Sequence, residues 1–362
     1  MGSMADGISS FFRQKNESPE SLQRYYSVMK GENPTRFRIC KKTPVEVGLD
    51  SGERELWREH EDALDKFRDL LKKIDEKKLK LEDVDVPKTS LLDLKIELAK
   101  RILESCHFCE RRCGVDRSEG ETGACGVGVK PRVSSEFLHM GEEPELVPSY
   151  TIFFSGCTFN CQFCQNWDIS QNPDSGMEYS SEEISSLISQ RRQSGARNVN
   201  WVGGDPTPNL HFILSVLNGC EVNIPSVWNS NMYLSEEGMR LLAGTQDVYL
   251  TDFKYGNDEC ASKYSKVQSY WDIITRNHRL AFEDAELIIR HLVLPEHLKC
   301  CTSNILKWIR KELGQDVRVN IMGQYRPQAK ARNYPELSRR VNSEEMNEAF
   351  RIAKEVGLTN IV

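Results

Sequence analysis

The sequence predicts an α/β fold: a partial, TIM-like (β/α)6 barrel with an N-terminal helical extension and a Cys-rich metal-binding knot. Three observations predict it. After Ser149, six β-rich runs alternate with helical segments: "YTIFFSG", "NVNWVGG", "PSVWNSN", "DVYLTDFK", "ELIIRHLVLP" and "DVRVNIMG". Such alternation implies parallel strands joined by right-handed crossovers. Residues 53–104 are dense in charge with apolar residues at helical spacing, and residues 105–130 are rich in Cys and Gly. Six strands suit an open or partial barrel better than a closed eightfold one, and chemistry in such folds sits at the C-terminal strand ends.

In chain order, residues 1–52 are polar without a sustained period and read as an irregular N-terminal arm, with Met1-Gly2-Ser3 resembling a cloning scar. A charged helical extension follows over 53–104. Leu56, Leu64, Phe67, Leu70, Leu71 and Ile74 give its first helix one apolar face. Ser90 with Asp93 forms a capping box for its second. Residues 105–149 are the Cys-rich metal knot and connector, and 150–362 the barrel. There, Ser180 with Glu183 caps a helix over 181–193, and Gly195 stops it. Further helices are expected at 209–218, 235–243, 258–281, 302–313 and 343–355, and a short terminal strand at "TNIV".

The 362 residues are 39 % hydrophobic and 28 % charged, as in a globular protein with a substantial core. No apolar run approaches the ~20 residues of a membrane span, and no basic segment precedes an apolar one, so neither membrane association nor a signal peptide is expected. The net charge of −6 argues against a broad nucleic-acid-binding surface, leaving room for a local basic site. Seven of the twelve cysteines fall in two tight clusters. In a long chain without secretion signals this points to metal or redox chemistry in a reducing, cytoplasmic compartment rather than to disulfides. Cys40, Cys220, Cys260, Cys300 and Cys301 have no partner spacing and read as plain thiols.

Directly after the first barrel strand, "FFSGCTFNCQFCQNWD" sets Cys157, Cys161 and Cys164 in a C-x3-C-x2-C pattern. Structural zinc wants four ligands. Three thiolates on one short loop can instead grip three corners of a cubane [4Fe-4S] cluster and leave its fourth iron open. The bland alternative is three buried or zinc-bound cysteines. "VGGDP" ends the second strand with Gly203, Gly204, Asp205 and Pro206, and "WNSN" ends the third with Asn229 and Asn231. "LTDFKYG" ends the fourth with Asp252 and Lys254, which face the same way and could equally form a rim ion pair. "IIRHLVLP" places Arg290 in the fifth, with His291 on its opposite face as a packing histidine. The sixth ends with Gln324 and Tyr325.

These motifs, in this order, resemble the radical S-adenosylmethionine (radical SAM) enzymes, and more narrowly the branch similar to pyruvate formate-lyase activating enzymes. The resemblance spans about residues 105–340. It implies that Cys157, Cys161 and Cys164 hold a catalytic [4Fe-4S] cluster whose open iron chelates SAM. It further implies that Phe163 lies near the adenine. Gly203, Gly204, Asp205 and Pro206 would hold the SAM ammonium. Asn229, Asn231, Asp252, Lys254 and Arg290 would orient the cofactor, Lys254 and Arg290 serving its carboxylate. The chain departs from the branch with Asp205 for Glu, Asn229 for Asp, and no histidine near Gln324 and Tyr325. The implied partner is a reductant such as flavodoxin or ferredoxin. The substrate stays open between a glycyl-radical enzyme, another protein, an RNA or a small molecule. A non-catalytic iron–sulfur carrier or sensor is the contrasting reading.

Upstream, "CHFCERRCGVDRSEGETGACG" gives Cys106, Cys109, Cys113 and Cys125 a C-x2-C-x3-C-x11-C spacing. Four thiolates satisfy either zinc or a second, fully ligated cluster, and both stay open; His107 is a spare ligand.

Overall fold

The computed structural model describes residues 20–362, so Met1–Ser3 and the first part of the expected arm lie outside the described residues. All six expected barrel strands are present. They are β2 (Ser149–Phe154), β4 (Asn198–Gly203), β5 (Ser226–Ser230), β6 (Val248–Asp252), β7 (Glu286–Leu292) and β8 (Arg318–Met322), paired parallel in that order. Two strands beyond those expected extend the sheet on the β2 side. β1 (Arg132–His139) runs antiparallel to β2, and the two-residue β3 (Met177–Glu178) pairs with β1. The terminal "TNIV" contributes one parallel bridge, Val319 to Ile361.

The expected caps are formed: Ser90 Oγ accepts the Asp93 N–H, Ser180 Oγ accepts the Glu183 N–H, and Gly195 turns the chain at a φ of +99°. The single helix expected over 258–281 is instead two, Asp258–Ser265 and Tyr270–Asp284. Between them Lys266 and Ser269 take positive φ, which breaks the helical ladder. The helices Glu53–Asp75 and Leu91–Glu104 bury Leu56, Leu64, Phe67 and Ile74 from the first and Leu91, Leu94, Leu98 and Ile102 from the second. They form an outer layer around the barrel.

Residues 20–52 differ from an irregular arm: they include the helices Gln23–Met29 and Arg36–Cys40. Leu22 and Tyr25 are fully buried in one apolar cluster with Val227, Val248, Leu250 and Ile288, near the N-terminal ends of the strands. Glu286, first residue of β7, accepts the backbone N–H groups of Arg24 and Tyr25 at 2.7 and 2.6 Å. Asn198 Nδ2 reaches the Tyr25 hydroxyl at 2.9 Å. The segment therefore floors the barrel, a short stopper with too few turns to show a period. The open side is bridged by the β1–β2 connector, where Glu142 meets Arg290, Glu143 accepts from Asn320, and Glu145 pairs with Arg318.

Candidate active site

A cavity of about 240 Å³ opens at the C-terminal ends of the strands, where parallel α/β sheets bind ligands. Cys157, Cys161, Cys164, Phe163, Gly203, Gly204, Asp205, Asn229, Asn231, Asp252, Lys254 and Arg290 all line it, as does Gln324. Of the residues expected there, Pro206 is not in the lining. Val202, Leu292 and Met322 supply apolar wall that motif reading missed; their strand-end positions were the available signal.

The loop carrying the three cysteines is held on both flanks. Asn160 and Gln162 donate their N–H groups to the carbonyls of Ser265 and Tyr264, at 3.0 and 2.7 Å. The Cys161 sulfur lies 2.9 Å from Ser265 Oγ, and that of Cys164 3.2 Å from Ser170 Oγ. Burial drives the Cys157 thiol well above its ordinary range and pushes Cys161 up to about 12. Thiols so placed become thiolates when a cationic centre binds them, so the donor set fits iron. Phe163 is buried edge-on against Tyr255 and Tyr325 while still lining the cavity, so it packs the loop whatever it touches in a ligand.

Gly203 and Gly204 are small for a protein neighbour. Gly203 has a φ of +124°, and a Cβ there would fall 2.1 Å from the Phe154 backbone nitrogen. At this juncture the Gly204 N–H donates to Phe154 O at 2.8 Å and the Asp205 N–H to Gly156 O at 3.1 Å. Asp205 is buried and accepts from Ser230 Oγ (2.8 Å) and Thr158 Oγ1 (3.1 Å). Burial raises its carboxyl above the usual range despite these bonds. Asn231 donates to Thr158 Oγ1 at 2.9 Å. Asp205 and Asn231 thus tie the ends of β4 and β5 to the cysteine loop.

Across the cavity, Asp252 pairs with both Lys254 and Arg290. The rim ion pair weighed from sequence is formed, with Arg290 as a third member. Burial opposes all three charges; mutual attraction overcomes it, lowering Asp252 and raising Lys254 and Arg290. Arg290 also donates to Asn229 Oδ1, and Asn229 Nδ2 has no partner among the described residues although it is buried. Arg290 also meets Glu142 at 3.4 Å, so the cations are already partly matched; the Arg290 fork and the Lys254 ammonium, with an unused amide donor beside them, still suit a ligand carboxylate.

His291 is a packing residue as expected: Nδ1 meets Phe253 O at 2.8 Å and Nε2 meets Thr302 Oγ1 at 2.9 Å. Tyr325 is buried and donates to Leu337 O at 2.7 Å, which places its hydroxyl away from substrate work. Upstream, Cys106, Cys109, Cys113 and Cys125 gather around one small cavity with Phe108, Arg111 and Arg117. His107 is turned to Ser105 O at 2.6 Å. The knot abuts the cysteine loop: Arg111 Nε donates to Thr158 O at 3.0 Å. Not all of the five remaining cysteines are isolated thiols, because Cys260 and Cys300 converge with His297.

Residues 151–309 match the model of the Radical SAM superfamily. The "Uncharacterized protein MJ0674" of Methanocaldococcus jannaschii is 49 % identical over 343 residues, 93 % of this chain and 98 % of that protein. The "Uncharacterized protein MJ0808" of the same organism is 23 % identical over 255 residues, 64 % of this chain and 73 % of that one. SuiB of Streptococcus suis bound to S-adenosylmethionine aligns with a TM-score of 0.45 at 13 % identity, over 57 % of this chain and 47 % of SuiB. This chain therefore spans about half the length of SuiB. No helix among the described residues is long and apolar enough to cross a membrane. With a family model covering the cysteine loop, the Gly-Gly turn and the ionic cluster, and a relative matching nearly end to end, the chain belongs to the radical SAM superfamily, whose enzymes use a [4Fe-4S] cluster and S-adenosylmethionine.

Proposed function

We propose that this oxidoreductase holds a catalytic [4Fe-4S] cluster on Cys157, Cys161 and Cys164 and binds SAM in the adjoining cavity, taking its electron from a flavodoxin or ferredoxin. The observation that supports this most is the opposition of three half-buried thiols to the Asp252–Lys254–Arg290 cluster across one cavity. When bound, the pair supplies reductive cleavage of SAM to methionine and a 5′-deoxyadenosyl radical, which takes a hydrogen atom from the substrate. Lys254 and Arg290 are assigned to the SAM carboxylate and Asn229 Nδ2 to a ligand acceptor. Asp205 and Asn231 position the loop, and Phe163 with Val202, Leu292 and Met322 excludes water. Twelve free thiols suit the reducing cytoplasm we assign to it.

The glycyl-radical activase role is the finer reading, supported by the sequence of the strand ends and weakened by Asn229, which offers an amide where that branch has a carboxylate. A hydrogen donor on another protein or on a small molecule fits the same cavity.

For the knot we propose a second iron–sulfur cluster. Among the described residues, the Cys260–His297–Cys300 group brings its ligand atoms within 4.8 Å of one another, as a single ion requires. Neither the radical loop nor the knot draws together in that way. A cubane spreads its ligand sulfurs more widely than one zinc ion does, so the knot behaves like the loop.

Anaerobic reconstitution followed by SAM and dithionite should yield 5′-deoxyadenosine. A reduced, cluster-loaded protein that makes none would overturn the enzymatic reading. With Cys157, Cys161 and Cys164 changed to Ala, about four irons should remain on the knot; zinc in their place would refute the second cluster.

A further inference from the structure

Cys260 and the Cys300-Cys301 pair stand some forty residues apart in sequence, yet the fold brings them together behind the cysteine loop. Cys260 lies in the first turn of the helix Asp258–Ser265, whose cap residue Asn257 accepts the Cys260 N–H at 2.8 Å. Cys300 and Cys301 occupy a π-helical turn, Leu298–Thr302, directly after His297. Such wide turns recur at functional positions. The two segments are fitted closely. Asn257 Nδ2 donates to Cys300 O at 2.9 Å, and a Cβ on Gly256 would fall 2.6 Å from that same oxygen.

The ligand atoms of Cys260, His297 and Cys300 all lie within 4.8 Å of one another. The Cys301 sulfur is 3.9 Å from that of Cys300. Zinc–sulfur bonds of ~2.3 Å in a tetrahedron set sulfurs roughly 3.8 Å apart. Cys260, His297 and Cys301 are nearly inaccessible and Cys300 is half-buried, so the group is shielded but has a way in.

The protons around His297 point the same way. Its Nδ1 donates to Pro295 O at 2.6 Å, which leaves Nε2 with the lone pair in the neutral ring. The polar oxygen nearest Nε2 is the Tyr264 hydroxyl at 3.2 Å, and that hydroxyl gives its proton to Glu336 Oε1 at 2.5 Å. In the metal-free protein only a weak thiol S–H can satisfy the Nε2 lone pair, and that proton leaves when a cation takes the sulfur, so Nε2 is free to ligate. A carbonyl fixing the distal ring nitrogen of a ligating histidine is the usual support of a metal site.

We propose that Cys260, His297, Cys300 and Cys301 form a metal site for one thiophilic divalent cation of the zinc class, separate from the catalytic cluster and from the upstream knot. Cys260, His297 and Cys300 supply three ligands; Cys301 lies outside their 4.8 Å group, but its sulfur, 3.9 Å from that of Cys300, closes the fourth position on a small shift, so the ion is structural. It staples the β7–α connector to the helix Asp258–Ser265. The far end of that helix accepts the loop N–H groups of Asn160 and Gln162 and meets the Cys161 sulfur.

The full-length protein, purified anaerobically and reconstituted with iron and sulfide, tests this by elemental analysis and by Co(II) substitution. One equivalent of zinc beyond the cluster iron is expected, lost in Cys260→Ser/Cys300→Ser and unaffected by changing the knot cysteines. His297→Gln keeps every thiol and most of the packing. It should shift the thiolate-to-cobalt charge-transfer band and weaken zinc retention at least tenfold in a chelator competition. Zinc that disappears only with the knot cysteines would overturn the proposal. So would a wild-type protein that binds neither zinc nor cobalt here, or a Cys260 disulfide in the protein as isolated.

Discussion

Gly204 lies directly over Gly156: a Cβ on Gly204 would come 2.0 Å from the Gly156 carbonyl oxygen, and a Cβ on Gly156 2.4 Å from a methyl of Val127. The Gly-Gly turn, the start of the cysteine loop and the end of the knot thus form one stack whose contacts are largely backbone. Backbone cannot rotate aside as a side chain can. Gly204→Ala should destabilise the fold by about 3 kcal/mol, the upper part of the overpacking range, and should release cluster iron before global unfolding. Anaerobic denaturant melts followed at the iron–sulfur absorbance check both.

Arg290 contacts Asp252, Asn229 and Glu142 at once. Arg290→Lys keeps the charge and loses the fork, so it should weaken SAM binding by about 10- to 100-fold, one to two hydrogen bonds to a charged group. Equilibrium binding of SAM to the reconstituted protein measures it. Substitution by Met should weaken SAM binding further, because it removes the charge as well.

Burial pushes the Glu286 carboxyl up to about 7, against the pull of the Arg24 and Tyr25 N–H groups and the Arg24 charge. A carboxyl raised in the folded state binds its proton more tightly there than in the unfolded chain. Its contribution is therefore full below about pH 4.5 and is lost as pH rises through about 7, an effect on the order of 2–3 kcal/mol. The barrel floor should loosen between pH 5 and 8, read as faster amide exchange over residues 22–29. Glu286→Gln should flatten that dependence.

The Asp252 carboxyl is shifted the other way. Burial alone would raise it, and the Arg290 and Lys254 charges more than reverse that. Its stabilisation holds above the ordinary aspartate range and disappears as pH falls through its lowered folded value. Asp252→Asn should remove this acid-side component from a pH series of thermal melts. It should also leave two half-buried cations with only Glu142, on Arg290, as a carboxylate partner, a loss of about 2 kcal/mol.

Much of the site could be read from sequence because its ligands are local. Cys157, Cys161 and Cys164 share one loop, and every other motif sits at a strand end whose place follows from the alternation of elements. What sequence hid depends on tertiary closure. Leu22 and Tyr25 gain meaning only beneath a closed barrel. The strand Arg132–His139 is mostly half-buried, with only Val133 in the core, so its alternation is faint. Lys266 and Ser269 break a helix without a Gly or Pro to announce it. Cys260 meets Cys300 only because a parallel crossover returns the chain to the same rim. The Gly-Gly turn was legible, but its reason was incomplete: the glycines make room for Phe154 and Gly156 as well as for any ligand.

The stopper formed by Leu22 and Tyr25 turns the barrel into a blind chamber. A hydrogen donor on a polypeptide must enter and leave by the same mouth, as a chain end or a doubled-back loop, and cannot thread through. The same dead end leaves the mouth at the C-terminal strand ends, beside Asn166, Met322 and Gln324, as the approach to the cysteine loop.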